Sequence, residues 1–114
     1  MALLFRQVCQ PLAQVSTGGA FLFGRRLMAL DGTKEDVPDT PENACVFGRH
    51  RGPNGDNAYP KAQAVLLSDC GTHAVVDSEF APGYASERDA GLRLLRSLTA
   101  GMLLMFDRGY YSLT

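Results

Sequence analysis

The segment MLLMFD, from Met102 to Asp107, sets five apolar residues in succession directly before an aspartate. An apolar run without alternation is typical of a strand buried on both faces, as in a parallel sheet. An earlier apolar segment, Leu27–Leu30, also ends on an aspartate, Asp31. Carboxylates at the carboxyl ends of parallel strands lie at the sheet rim, where open α/β sheets bind ligands. For either aspartate alone the simpler interpretation is that it ends a strand, whereas Asp31 and Asp107 on neighbouring strands would form half of a divalent-metal site.

The remaining sequence predicts the other parts of such a sheet. Three strands are predicted before the final one, and they cover residues 26–37, 62–69 and 73–80. Ser86 is a good N-cap, so a helix is predicted from there to about Ala100. A right-handed crossover through this helix would lay the strand Met102–Phe106 parallel to the first strand. The predicted fold is α/β, a mixed sheet of about four strands with one crossover helix, preceded by a short helical segment.

Two other stretches are predicted to lie outside regular strands. Residues 1–25 have partly helical apolar spacing that Pro11 interrupts, so they form a short helical region. Residues 38–60 are rich in proline and glycine and are predicted to be a long loop. On the third strand, Asp77 and Glu79 alternate with apolar residues and are expected on a solvated face.

Composition and charge limit the function classes. The chain has 114 residues and a net charge of −1, so it lacks the overall positive charge of a typical nucleic-acid binder. Basic residues cluster locally at Arg25-Arg26 and at Arg49-His50-Arg51. A solvated loop is the default interpretation of the second cluster, and contact with phosphates is the alternative.

The cysteines and the apolar runs bear on location. Cys9, Cys45 and Cys70 form an odd, scattered set that fits free thiols in a reducing cytoplasm. No signal peptide is recognisable, and no apolar run approaches the ~20 residues that a membrane span needs. Cys45-x4-His50 and Cys70-x2-His73 loosely imitate two zinc half-sites, but the spacing of the first pair is poor.

Five short sequence motifs follow one another along the chain. They are RRLMALDGT at 25–33, DTPENA at 39–44, FGR at 47–49, DCGTHA at 69–74 and DRGYYS at 107–112. In this order and spacing they resemble bacterial insertion-sequence transposases of the IS-four type, members of the DDE superfamily with a ribonuclease-H-like core. The resemblance runs from about Arg25 to Ser112.

The resemblance implies both a fold and a chemistry. Residues 26–114 would be a partial ribonuclease-H-like catalytic core, and residues 1–25 the remnant of a helical amino-terminal region. Asp31 and Asp107 would be catalytic ligands of Mg²⁺, or of Mn²⁺, in the cleavage and transfer of DNA strands. The partner would be DNA at transposon ends, with Arg49, Arg51 and Arg108 as candidate contacts to it.

The chain also departs from the family pattern. The third acid of the family is a glutamate in a Tyr-x2-Arg-x3-Glu-x6-Lys pattern downstream of the second aspartate, and that pattern is not found before Thr114. The resemblance therefore implies a core truncated at both ends, with weak or absent metal binding and no activity alone. The alternative is a non-enzymatic product that is inert or interferes with an intact transposase. An unpaired edge on the strand Met102–Phe106 would also favour self-association.

Overall fold

The computed structural model of the chain describes residues 2–49 and 59–110. In chain order it contains α1 (Ala2–Val8), β1 (Phe21–Leu22), β2 (Arg25–Asp36), α2 (Pro41–Phe47), β3 (Lys61–Asp69), β4 (Val75–Pro82), α3 (Glu87–Arg93) and β5 (Met102–Phe106). Short 3₁₀ turns follow α3 at Leu94–Ser97 and β5 at Arg108–Tyr110. Within these ranges no helix is both long and apolar enough to cross a membrane.

The strands form one mixed sheet in which β2 is central. β2 pairs antiparallel with β3 on one side and parallel with β5 on the other, while β1 forms a short antiparallel ladder with the start of β2. β4 pairs antiparallel with β3 and forms the far edge. The predicted α/β class and the parallel pairing of the first long strand with the last one are confirmed. The two-residue β1 is an addition that the sequence did not indicate.

One face of the sheet is covered and contains the core. Along β3 the burial alternates strictly, with Gln63, Val65, Leu67 and Asp69 buried and the residues between them half-buried. Side chains of an extended strand point alternately to its two faces, so the buried set defines the face beneath α3. The apolar core on this face consists of Met28, Leu30, Val65, Leu67, Val76, Ala90 and Leu94.

β5 lies at the edge of the sheet, and the prediction that it is buried on both faces is wrong. Leu104 packs against the core, but Met105 and Phe106 are 46% and 51% exposed. Within the described residues β5 pairs only with β2, which leaves its other edge without a ladder. The unbroken apolar run therefore belongs to a strand that packs against the core through some of its side chains and exposes the others.

α3 begins as predicted, with the side chain of Ser86 accepting a hydrogen bond from the backbone N–H of Asp89 at 3.3 Å. The α-helix ends at Arg93 and continues as a 3₁₀ turn to Ser97, so it is shorter than predicted. The tightened turn brings Arg96 and Ser97 to Asp77 on β4. The sequence did not indicate this long-range contact.

Asp77 is 2% exposed on the covered face, so its expected solvated position is wrong. Arg96 binds both carboxylate oxygens, with Nε 2.9 Å from Oδ2 and Nη2 3.1 Å from Oδ1, and Ser97 Oγ donates to Oδ2 at 2.5 Å. Burial, the largest single influence, raises the pKa of Asp77, but the hydrogen bonds from Arg96 and Ser97 together bring this pKa below its ordinary value. The carboxylate is therefore held ionised inside the fold.

The region predicted to be a long loop contains a helix. Thr40 caps α2 by accepting a hydrogen bond from the N–H of Asn43 at 3.2 Å, and Pro41 occupies the first turn, where its missing N–H is harmless. Gly48 ends the helix with φ of 70°, a conformation that favours glycine. Residues 50–58 lie outside the described part of the chain.

Hydrogen bonds link the amino-terminal segment to the sheet. The N–H of Ala13 donates to Oδ2 of the buried Asp69 at 2.7 Å, and Arg26 Nη1 donates to the carbonyl of Ala13 at 2.6 Å. Arg26 also pairs with Asp69, and its guanidinium lies 5.0 Å from the ring centroid of Phe21. The domain boundary at residue 25 stays a prediction.

Candidate active site

The parallel ladder between β2 and β5 brings the two predicted acidic residues to neighbouring positions. Its last Cα pair is Leu30 with Phe106, and Asp31 and Asp107 each come directly after it. β2 continues past Asp31 to Asp36, whereas β5 ends at Phe106. The pair therefore lies where the edge strand stops, and beyond it no described strand pairs with that flank of β2.

Asp31 lies on the face of the sheet opposite α3. A Cβ added to the next residue, Gly32, would lie 2.5 Å from Cδ of Glu87 on α3, so residue 32 faces the helix. Successive residues of a strand face opposite sides, which turns Asp31 away from the helix. Asp31 is exposed, so its carboxylate is open to a ligand that approaches from this opposite face.

Both aspartates are exposed, and each uses one oxygen locally. Asp31 Oδ1 accepts a hydrogen bond from the N–H of Gly32 at 2.9 Å, and Asp107 Oδ1 accepts one from the N–H of Arg108 at 2.5 Å. Oδ2 of each aspartate accepts no hydrogen bond from residues 2–49 or 59–110. Two carboxylates with an unused oxygen match the hard oxygen ligands that Mg²⁺ prefers. No group of three or more histidine, cysteine, aspartate or glutamate side chains that could hold a metal ion occurs among the described residues.

Tyr110 and Glu87 lie next to this pair, and sequence reasoning did not assign either a role in it. Tyr110 Oη donates to Glu87 Oε1 at 2.5 Å. Burial raises the pKa of Tyr110, and the hydrogen bond to Glu87 and the negative charges of Glu87, Asp31 and Asp107 raise it further. The tyrosine is therefore neutral and lies within the electrostatic field of both aspartates. The glycine directly after Asp31 was the sequence signal that could have indicated a close neighbour such as Glu87, because glycine lets another group approach the backbone closely.

The three candidate DNA contacts are placed differently. Arg108 is exposed and directly follows Asp107, so the chain itself brings it to the acidic pair. Arg49 forms an ion pair with Asp39, and its backbone bridges to Pro60. Arg51, like His50, lies outside the described residues. DNA contact by any of the three stays a prediction.

The environment of Cys70 does not favour the alternative that this thiol binds zinc. Burial raises the pKa of this thiol, and the negative charge of Asp69 raises it further. Zinc binds the thiolate, so both influences disfavour the form that would act as a ligand. Cys9, Cys45 and Cys70 are all free thiols.

Comparison with known proteins identifies relatives among transposases. The chain is 31% identical to the transposase InsG for insertion sequence element IS4 of Escherichia coli strain K12, over 90 residues that make up 79% of this chain and 20% of that protein. It is 29% identical to the putative transposase InsZ of the same organism, over 110 residues that make up 96% of this chain and 37% of that protein.

The predicted resemblance is thereby confirmed. The chain is related, over most of its length, to part of the insertion-sequence transposases of the IS4 type. It spans well under half the length of these two relatives. No protein-family model matches the chain. No solved structure matches it either.

Proposed function

We propose that this chain is part of the catalytic core of a DNA transposase with a ribonuclease-H-like fold, in which Asp31 and Asp107 bind Mg²⁺ or Mn²⁺. The observation that carries the proposal is the parallel register of β2 and β5, which ends at Leu30 and Phe106. The ribonuclease-H-like assignment is supported by three antiparallel strands, a helix across one face and a last strand parallel to the first long one.

Asp31 and Asp107 would share the binding of a cation through their unused Oδ2 atoms. When bound, such a cation stabilises the charge that develops on the oxygens of a phosphodiester undergoing in-line displacement. The exposure of Asp31 leaves it accessible to a strand of DNA, and Arg108 supplies a positive charge next to the acids. A net charge of −1 makes a local contact of this kind more important than overall attraction.

The 114 residues alone contain two of the three acids that this chemistry requires in the family. We therefore expect weak binding of one ion and no strand cleavage by this chain alone. The second candidate function is non-enzymatic, association with an intact transposase and interference with it. The exposed side chains of Met105 and Phe106 favour this candidate, as does the outer edge of β5, with which no described strand pairs.

Mn²⁺ binding to the purified chain, measured from the electron paramagnetic resonance signal of the free ion, tests the metal site. We expect Asp31→Asn and Asp107→Asn each to weaken binding at least tenfold, because each removes one of two charged ligands. Asp36→Asn is the matched control, since Asp36 lies exposed on the same strand and pairs with Lys61 instead. Equal Mn²⁺ binding by all four proteins would exclude the proposed site.

A further inference from the structure

The position of Asp107 is not fixed by the sheet itself. The ladder between β2 and β5 ends at the pair of Leu30 and Phe106, so Asp107 belongs to no ladder pair. Beyond Asp107 the chain forms a 3₁₀ turn in which the N–H of Tyr110 donates to the carbonyl of Asp107 at 3.1 Å. A terminal turn of this kind frays unless something else holds it.

Tyr110 links that turn to α3 through a hydrogen bond. Its hydroxyl donates to Glu87 Oε1 at 2.5 Å, and Glu87 is the first residue of the helix. The tyrosine ring also packs closely against α3, since a Cβ added to Gly91 would lie 2.8 Å from its Cε1. The ring of Phe106 meets it edge-on, with the centroids 6.2 Å apart and an interplanar angle of 75°.

Glu87 in turn lies against the residue that follows the other aspartate. A Cβ at Gly32 would be 2.5 Å from both Cδ and Oε1 of Glu87, closer than real Cβ contacts come. Glycine at position 32 therefore makes room for the same carboxylate that accepts the bond from Tyr110. One side chain contacts the backbone next to Asp31 and holds the turn next to Asp107.

We infer that Tyr110 and Glu87 are positioning residues, which hold Asp107 beside Asp31 by tying both strand positions to the first turn of α3. The inference rests on the proposed function, because it gives the two aspartates a shared metal ion. Glu87 acts here as a hydrogen-bond acceptor and as a spacer above Gly32. It is not a third metal ligand, since Asp31 points to the opposite face of the sheet.

The test combines two measurements on the full 114-residue chain. The first is the NMR order parameter of the Asp107 amide without metal, and the second is the Mn²⁺ dissociation constant. Tyr110→Phe removes only the hydroxyl, Glu87→Leu removes the acceptor, and Glu87→Gln keeps an acceptor oxygen without the charge. Tyr84→Phe and Glu42→Gln are matched controls, because Tyr84 is 69% exposed and Glu42 lies in the first turn of α2.

We expect Tyr110→Phe and Glu87→Leu each to lower the order parameter of Asp107 and to raise the Mn²⁺ dissociation constant about tenfold, the usual range for residues that orient a metal ligand. The double variant should be no weaker than either single one, because both remove the same bond. Glu87→Gln and the two controls should stay within about twofold of the unmodified chain. A purely structural role would lower the melting temperature and leave Mn²⁺ affinity unchanged at temperatures where the chain is fully folded.

The outcomes separate this inference from the proposed function. An ordered Asp107 in both Tyr110→Phe and Glu87→Leu would overturn the inference whatever the metal does. Equal weakening by Glu87→Gln and Glu87→Leu would also overturn it, since Glu87 would then act through its charge. If Asp31→Asn binds Mn²⁺ as well as the unmodified chain, the proposed metal site fails, and the order parameter alone decides whether Tyr110 and Glu87 position Asp107.

Discussion

Asp77 illustrates how a single buried charge is stabilised in this fold. The carboxylate accepts from two nitrogens of Arg96, from the hydroxyl of Ser97 and from the N–H of Ser78. Arg96 also donates from Nη1 to Glu79 Oε1 at 2.5 Å, and its attachment to Asp77 raises its own pKa. The hydrogen-bonded group therefore joins the 3₁₀ turn after α3 to the edge strand β4 on the covered face of the sheet.

Removing this carboxylate should destabilise the chain measurably. We expect Asp77→Ala to lower the free energy of unfolding by about 2–3 kcal/mol, the usual range for buried hydrogen bonds to a charged group. Asp36→Ala is the control, because its exposed pair with Lys61 should contribute less than about 1 kcal/mol. Urea denaturation of the two variants gives the comparison, and equal losses would mean that Asp77 contributes no more than a surface pair.

The same carboxylate should make stability depend on pH. Its pKa is held below the ordinary value of 3.8 in the folded chain. The stabilisation is therefore fully present above the unfolded-state pKa and is lost as the pH falls through the folded-state pKa. We expect the difference in unfolding free energy between the unmodified chain and Asp77→Ala to shrink steadily below about pH 4. A difference that stays constant down to about pH 2 would contradict this assignment.

At the scale of elements, the amino-terminal segment packs on the sheet through small residues. Ala13 and Ala20 are buried, and a Cβ added to Gly71 would lie 2.4 Å from Cβ of Ala20 and 2.9 Å from that of Ala13. These neighbours are short and cannot swing aside, unlike the long Glu87 side chain above Gly32. A side chain at position 71 would therefore force the turn between β3 and β4 or the amino-terminal segment to shift.

Gly71→Ala should accordingly loosen this contact. We expect a loss of about 1–3 kcal/mol in unfolding free energy, typical of overpacking a close contact. Hydrogen exchange of the Ala13 amide should become faster, because its bond to Asp69 would be strained. Gly18→Ala is the control, since a Cβ there meets nothing within 4 Å. Unchanged protection of Ala13 would show that the segment accommodates the methyl group.

The elements that local sequence signals specify were predicted closely, and those that depend on distant contacts were not. The strand at Met102–Phe106 and the cap at Ser86 follow from apolar runs and capping chemistry within a few residues. The burial of Asp77 depends on Arg96 from another element, and no local pattern encodes that partner. The hydrogen bond between Tyr110 and Glu87 was not predicted, for the same reason. Gly32 was the one local signal, because it allows Glu87 to lie close to the backbone.

The candidate site could likewise be predicted from the sequence only in part. The parallel pairing that makes Asp31 and Asp107 neighbours could be inferred from the order of strands and the right-handed crossover rule. The expectation of burial on both faces failed for β5, because an apolar run does not reveal whether a strand is central or at an edge. α2 was missed because the proline and glycine content of residues 38–60 obscured the capping pattern at Thr40 and Pro41.

At the scale of the whole molecule, the outer edge of β5, which is unpaired within residues 2–49 and 59–110, should cause self-association. We expect size-exclusion chromatography with light scattering to find dimers or larger species, because an apolar edge strand is a template for another strand. Met105→Lys should shift the chain toward monomer by placing a charge on this edge. Phe80→Lys is the control, since Phe80 is 71% exposed on the opposite edge strand β4. A monodisperse unmodified chain, or equal effects of the two variants, would contradict association through β5.

The chain alone should not cleave DNA. We expect no nicking of supercoiled plasmid with Mg²⁺ or Mn²⁺, because two carboxylates leave the second ion of the family's chemistry unheld. Asp31→Asn in parallel separates chain-borne activity from contaminating nuclease. Nicking that disappears in Asp31→Asn would show that another acid of this chain completes the site.

Among the described strands β5 pairs only with β2, and this has a consequence for the order of events during synthesis. β2 is made before β3 and β4, so it can pair with β3, and β3 with β4, as soon as those strands have been made. Its other flank stays open until α3 and then β5 have emerged, since the ladder from Arg26 to Leu30 is filled only by Met102–Phe106. Contacts between such distant segments form late, because a long loop must close first. Asp31 is therefore synthesised 76 positions before Asp107 and stays without its acidic neighbour until β5 has been made.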